Sequence, residues 1–193
     1  MRACFTTLGI AATTTLILAL AMAPANAIDN QEVAASVTAG GLSATVSGAV
    51  LSSVSLGPQS AQVASGISAS LWQLTDARGS GAAWTLSASG TDFVSAAGTE
   101  DLTPRTLPIG NLVITPGVVT ASAGADNAPL TSPVTMTGAA QALVTTSGNL
   151  KGTFTLRPTF DLTVPANAFR SNFALGTTGT VNPYIATITF TIA

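Results

Sequence analysis

Across residues 154–164 apolar and polar side chains alternate without interruption. Phe154, Leu156, Pro158, Phe160, Leu162 and Val164 share one parity, and Thr155, Arg157, Thr159, Asp161 and Thr163 the other. A period of two turns one set toward a core and the other toward water, the signature of a half-buried strand. Pro158 cannot donate a ladder hydrogen bond, so it marks either an edge strand or a break between two shorter strands. The pattern returns at Tyr184, Ala186, Ile188, Phe190 and Ile192, set against Thr187, Thr189 and Thr191, and predicts a terminal half-buried strand. Leu42, Ala44 and Val46 alternate with Ser43, Thr45 and Ser47 in the same way. Shorter apolar pairs, Val54/Leu56, Leu112/Ile114 and Val134/Met136, sit between Gly, Pro and Ser punctuation. Helical periodicity is absent from residues 28–193. The expected fold is therefore all-β, a single β-sandwich-like domain of short, mainly antiparallel strands. The Ala-, Gly- and Ser-rich stretch 117–133 predicts a long loop or an irregular edge inside that domain.

The N-terminus follows a different rule. Arg2 precedes an apolar run from about position 8 to 22 that closes on Ala25-Asn26-Ala27, a small-x-small cleavage signal. Residues 1–27 read as a secretory signal peptide, and residues 28–193 as one extracellular surface domain. The run is too short and too rich in Thr and Ala for a transmembrane anchor, and no second hydrophobic segment follows, so no membrane span is expected in the mature chain. Cleavage removes Cys4, the only cysteine, and with it any disulfide, thiol nucleophile or thiolate ligand.

Charge removes further classes of function. Loss of Arg2 takes the formal net charge from −2 to about −3, charged residues make up 7% of the chain, and no basic cluster exists to meet nucleic acid. Solubility rests on Ser, Thr and Asn, as suits an extracellular β protein. The chain has no histidine, and its acids, Asp29, Glu32, Asp76, Asp92, Glu100, Asp101, Asp126 and Asp161, are scattered. Glu100-Asp101 is the one adjacent pair. A two-carboxylate glycosidase has its parts only in the arithmetic sense, and no calcium-ligand spacing occurs. No catalytic residue, metal or cofactor is expected, and the protein reads as a non-enzyme.

The most informative segment is 71–86, two apolar strands around a glycine-rich loop. If Trp72 stands opposite Leu86, then Leu74 stands opposite Trp84 across a loop of residues 77–81, and four large side chains share one face of a hairpin. Gly79 and Gly81 permit positive φ, and Asp76 can accept loop N–H groups or pair with Arg78. A Trp and a Leu two residues apart on a strand are more often core than binding face.

Here the sequence resembles the WxL family of bacterial cell-surface proteins. The proximal motif of that family, an Asp-x-Arg-Gly turn followed by Gly-Trp-x-Leu, is similar to Asp76-Ala77-Arg78-Gly79 and Ala83-Trp84-Thr85-Leu86, with Ala83 in place of the glycine. The distal motif, Tyr followed by three residues, an aliphatic, Thr, Trp, x and Leu, is similar to residues 184–192, with Phe190 and Ile192 in place of Trp and Leu. The resemblance covers about residues 66–193; residues 28–65 carry no nameable motif. It implies a β-rich domain held non-covalently on the cell wall, with peptidoglycan or another cell-wall polymer as the bound surface and other envelope proteins as partners. Trp72, Leu74, Trp84, Leu86, Tyr184, Phe190 and Ile192 are then the cell-wall-binding candidates, and Asp76, Arg78, Gly79 and Gly81 the turn-forming residues. The alternative is a structural subunit of a surface fibre or array, assembled by β-strand contacts through the terminal strand. N-terminal sequencing of the protein recovered from its host is expected to read Ile28 first; recovery of envelope protein still carrying residues 1–27 overturns the secreted reading.

Overall fold

The computed structural model describes residues 34–193 apart from Pro58, Glu100, Asn149, Thr177 and Thr178; the expected leader, residues 1–27, and its expected cleavage site fall outside the described residues. The chain divides into two units, Met1–Ser36 and Val37–Ala193, and the fold is that of the second. It is all-β, with three four-stranded antiparallel sheets and a small two-stranded one. Sheet I orders β1 (Leu42–Thr45), β3 (Trp72–Asp76), β12 (Gly152–Leu156) and β8 (Thr120–Ala121). Sheet II orders β10 (Val134–Thr135), β7 (Leu112–Thr115), β13 (Thr159–Val164) and β2 (Gln62–Ile67). Sheet III orders β14 (Ile188–Ile192), β4 (Thr85–Gly90), β11 (Gln141–Thr145) and β9 (Leu130–Thr131). The short pair is β5 (Phe93–Ser95) with β6 (Arg105–Leu107), followed by one 3-10 turn at Ile109–Asn111.

Sheets I and II are two halves of one bent ribbon. β3 pairs with β12 in a register that sets Trp72 against Leu156, and β2 pairs with β13 in a register that sets Ile67 against Thr159. Between them the chain bends at Arg157-Pro158, where the Pro158 carbonyl accepts the Ser68 N–H at 2.9 Å. Of the two roles open to Pro158, the break between two strands is the one it takes. The parity survives the bend: Phe154, Leu156, Pro158, Phe160, Leu162 and Val164 are all buried. Sheet III faces sheet I across a core in which the Trp84 ring lies 6.1 Å from Phe154 and the Trp72 ring 4.6 Å from Phe190.

Segment 71–86 is not a hairpin. β3 is flanked on both sides by β1 and β12, and β4 by β14 and β11, so neither has an edge free for the other. Trp72, Leu74, Trp84 and Leu86 are indeed all buried, but they meet from two facing sheets, not across one. Longer non-local ladders, five residues to β12 and five to β14, outcompete the short local pairing. Of two smaller expectations, one changes and one is resolved. Val54 and Leu56 lie in an irregular run with no strand, and residues 117–133 supply β8 and β9, two-residue edges of sheets I and III, which is the irregular-edge alternative.

Trp72 ties the halves together. Its ring packs edge-on against Phe160 of sheet II (6.3 Å) and Phe190 of sheet III (4.6 Å), and its Nε1–H donates to the Ser47 carbonyl at 2.9 Å. Trp72→Ala is expected to cost about 3–5 kcal/mol in chemical denaturation. Trp72→Phe, which keeps a ring but orphans the Ser47 carbonyl, is expected to cost about 1–3 kcal/mol.

Candidate functional site

The turn after β3 is built as a closed clasp. Asp76 is buried, and its two carboxylate oxygens accept from Arg78 Nε at 3.0 Å and Arg78 Nη2 at 2.9 Å, a bidentate fork, while Oδ1 also takes the Arg78 N–H at 3.0 Å. Nη2 donates onward to the Ala82 carbonyl at 2.9 Å, so one guanidinium fixes both sides of the loop. Gly79 adopts φ +67°, a conformation that penalises any side chain; Gly81 stays outside the positive-φ set. The Arg78 side chain, bonded directly to Asp76, holds its carboxyl below the ordinary value of 3.8, against the opposing pull of burial.

The motif tryptophans are framework. Trp72 and Trp84 are buried, and both indole N–H groups are satisfied inside the protein, Trp84 Nε1 by the Leu150 carbonyl at 3.2 Å. The Trp84 backbone is clamped by Thr146, whose Oγ1 accepts its N–H at 2.8 Å and donates to its carbonyl at 3.1 Å. Leu74 and Leu86 are buried with them. Of the seven wall-binding candidates, Tyr184, Phe190 and Ile192 are half-buried and retain surface. Tyr184 donates its hydroxyl to the Phe169 carbonyl at 3.0 Å, and burial pushes its own titration up.

The other described carboxylates each accept a hydrogen bond from within the protein, three in loops and one, Asp161, across the β13–β2 ladder. Asp92 accepts the Ile109 N–H, Asp101 the N–H and hydroxyl of Thr103, Asp126 the Lys151 N–H, and Asp161 the Ser65 hydroxyl. Hydrogen bonds from the Thr103 and Lys151 backbones hold Asp101 and Asp126 below their ordinary values. Among the described residues no three metal-ligating side chains converge. Asp29, Glu32 and Glu100 lie outside the described residues.

The open feature of the surface is a cleft of about 890 Å³. Its floor is core: Ala64, Phe93, Leu107, Leu162 and Val164. One wall is the irregular run 49–56, which presents Val50, Val54 and the serines Ser52, Ser53 and Ser55; the other is formed by residues 169–173 and 181–186. Phe169 stands at the mouth, 66% exposed, with the Arg105 guanidinium 5.2 Å from its ring centroid; the Arg170 guanidinium lies 4.8 Å from the Phe173 ring. Arg105 Nη1 also donates to the Arg170 carbonyl at 2.7 Å, which fixes this corner. Asn172, fully buried, fastens the same loop by donating its Nδ2–H to the Ala96 carbonyl and its N–H to the Ser95 hydroxyl. Alternation singled out Leu162 and Val164 of the floor and Tyr184 and Ala186 of the rim. Phe169 and Arg170 follow Pro165 in a stretch with no period, and the serines of 52–55 look like turn residues. A smaller slot of about 280 Å³ adjoins the cleft through Ala49, Leu51, Phe93 and Ala186, and is bounded by Val46, Ser47, Ile188 and Phe190.

No family model, curated protein or solved structure matches this chain.

The clasp has a pH signature. Because the folded Asp76 titrates below its unfolded value, its contribution is complete above the ordinary carboxylate range and is lost as pH falls through the folded value. Asp76→Asn is expected to lower stability at pH 7 by about 1.5–3 kcal/mol. The gap between wild type and variant should close as pH drops below 3.8, and parallel denaturation curves from pH 2 to 7 check it.

Proposed function

We propose that this protein is a non-enzymatic extracellular module that associates non-covalently with the bacterial cell wall, peptidoglycan or another wall polymer, through the cleft rather than through its motif tryptophans. The supporting observation is the cleft mouth, where the exposed Phe169 ring, held against Arg105, stands beside Arg170, Tyr184 and the serine row of 52–55. An aromatic face stacks on the apolar face of a sugar, and hydroxyls meet its polar edges. The resemblance of segment 76–86 to the WxL proximal motif points to the same surface, and the buried Trp72 and Trp84 then act by holding the fold. A second reading, a structural subunit of a surface fibre or array, is favoured by the uncharged outer strand β14.

A pull-down of the mature protein with purified cell walls tests the first reading. Wild type is expected to sediment with walls and to be released without breaking a covalent bond. Phe169→Ala is expected to weaken binding by about tenfold, the loss of one stacking contact. Its melting should stay within about 0.5 kcal/mol of wild type, because the ring is largely exposed. Absence of wild-type binding rejects the wall reading, and full binding by Phe169→Ala rejects the cleft as its site.

A further inference from the structure

β14 is the outer strand of sheet III, with β1 close alongside it but not paired to it. Thr85 and Ala193 exchange both backbone hydrogen bonds, at 2.7 and 3.1 Å. In an antiparallel ladder of this register, that turns the N–H and C=O groups of Ile188, Phe190 and Ile192 away from β4. Among the described residues these outward groups have no backbone partner, since β14 is the last strand of its sheet. Edge strands are ordinarily protected by a charge, a proline or a bulge. Ile188-Thr189-Phe190-Thr191-Ile192 has none of these, and its β-branched and aromatic composition favours pairing with a further strand. The slot of about 280 Å³ runs beside this edge, with Val46 and Ala49 on one side and Ile188 and Phe190 on the other.

We infer that this edge and slot receive residues 35–39 of a second copy of the chain, added as a strand to β14. Ala35, Val37 and Ala39 share one parity, Ser36 and Thr38 the other, so the segment carries its own strand pattern with side chains small enough for a narrow slot. It brings no charge to bury. In the monomer it is unused: Val37 is 96% exposed, and residues 35–39 belong to no strand. The path of the chain favours a neighbour. Gly40 donates its N–H to the Ala77 carbonyl, at the end of β1 remote from Ser47 and the slot, so residues 37–39 depart from the far end of sheet I. Donor segment and acceptor edge are different surfaces, which makes the contact head-to-tail, able to continue from copy to copy or to close as a ring. This deepens the second reading, assembly by β-strand contacts through β14, and does not rest on wall binding.

Sedimentation velocity of the mature protein over a range of concentrations, with amide hydrogen exchange on the same samples, tests the inference. Wild type is expected to form concentration-dependent oligomers in which the Ile188 and Phe190 amides are protected. Val37→Asp, at a site too exposed to affect folding of the monomer, is expected to weaken association by at least about tenfold with unchanged melting, and to release those amides. A synthetic peptide of residues 34–40 should cap the wild-type edge and dissociate the oligomers. The inference is overturned if wild type stays monomeric throughout, if Val37→Asp associates as readily as wild type, or if the edge amides exchange freely in the oligomer. Protection of those amides in a monomer also overturns it, by showing the slot filled from within the same chain.

Discussion

The indole of Trp72 must lie where three sheets can reach it, and the rest of the molecule accommodates that demand. Its apolar area is worth burying, but its N–H cannot be buried without an acceptor. The Ser47 carbonyl supplies one, just past the end of β1. That bond decides where β1 gives way to the irregular run that walls both slot and cleft. Phe160 and Phe190 then close on two edges of the ring, one from the bent continuation of sheet I and one from sheet III. Surface and core are thus one construction: the same contact that fills the interior leaves the groove beside β14.

Trp72 also gives a physical reading of the distal segment. A Phe at position 190 packs edge-on against Trp72 and asks for no hydrogen bond. An indole there would bring a donor that this half-buried site must satisfy. The segment that resembles the proximal WxL motif is in this way explained by packing and by the Asp76–Arg78 clasp.

What could be read from the sequence was what is local. Alternation across residues 154–164 gave the inward face of both β12 and β13 and marked Pro158 as an edge or a break, because side-chain parity and proline's missing N–H act within the strand itself. Partnership is not local. Trp72, Leu74, Trp84 and Leu86 were legible as large apolar residues on strands, yet their hairpin register failed, because β3 and β4 each found two better partners far along the chain. The cleft was least legible. Its walls include the irregular runs 49–56 and 169–173, whose side chains obey no period and which are held by non-local bonds, Ser52 to Ser65, Arg105 to Arg170 and Asn172 to Ala96.

The pairing of β14 with β4 joins residues as distant as Ser87 and Thr191, 104 positions apart. A chain made from its N-terminus therefore carries Trp72, Trp84 and β4 for most of its synthesis with one flank of the core missing. Contacts of such long range form slowly, because the loop between them must be closed before they return any stability. The aromatic contact of Phe190 with Trp72 therefore forms only once β14 has reached β4, at the far end of that long loop.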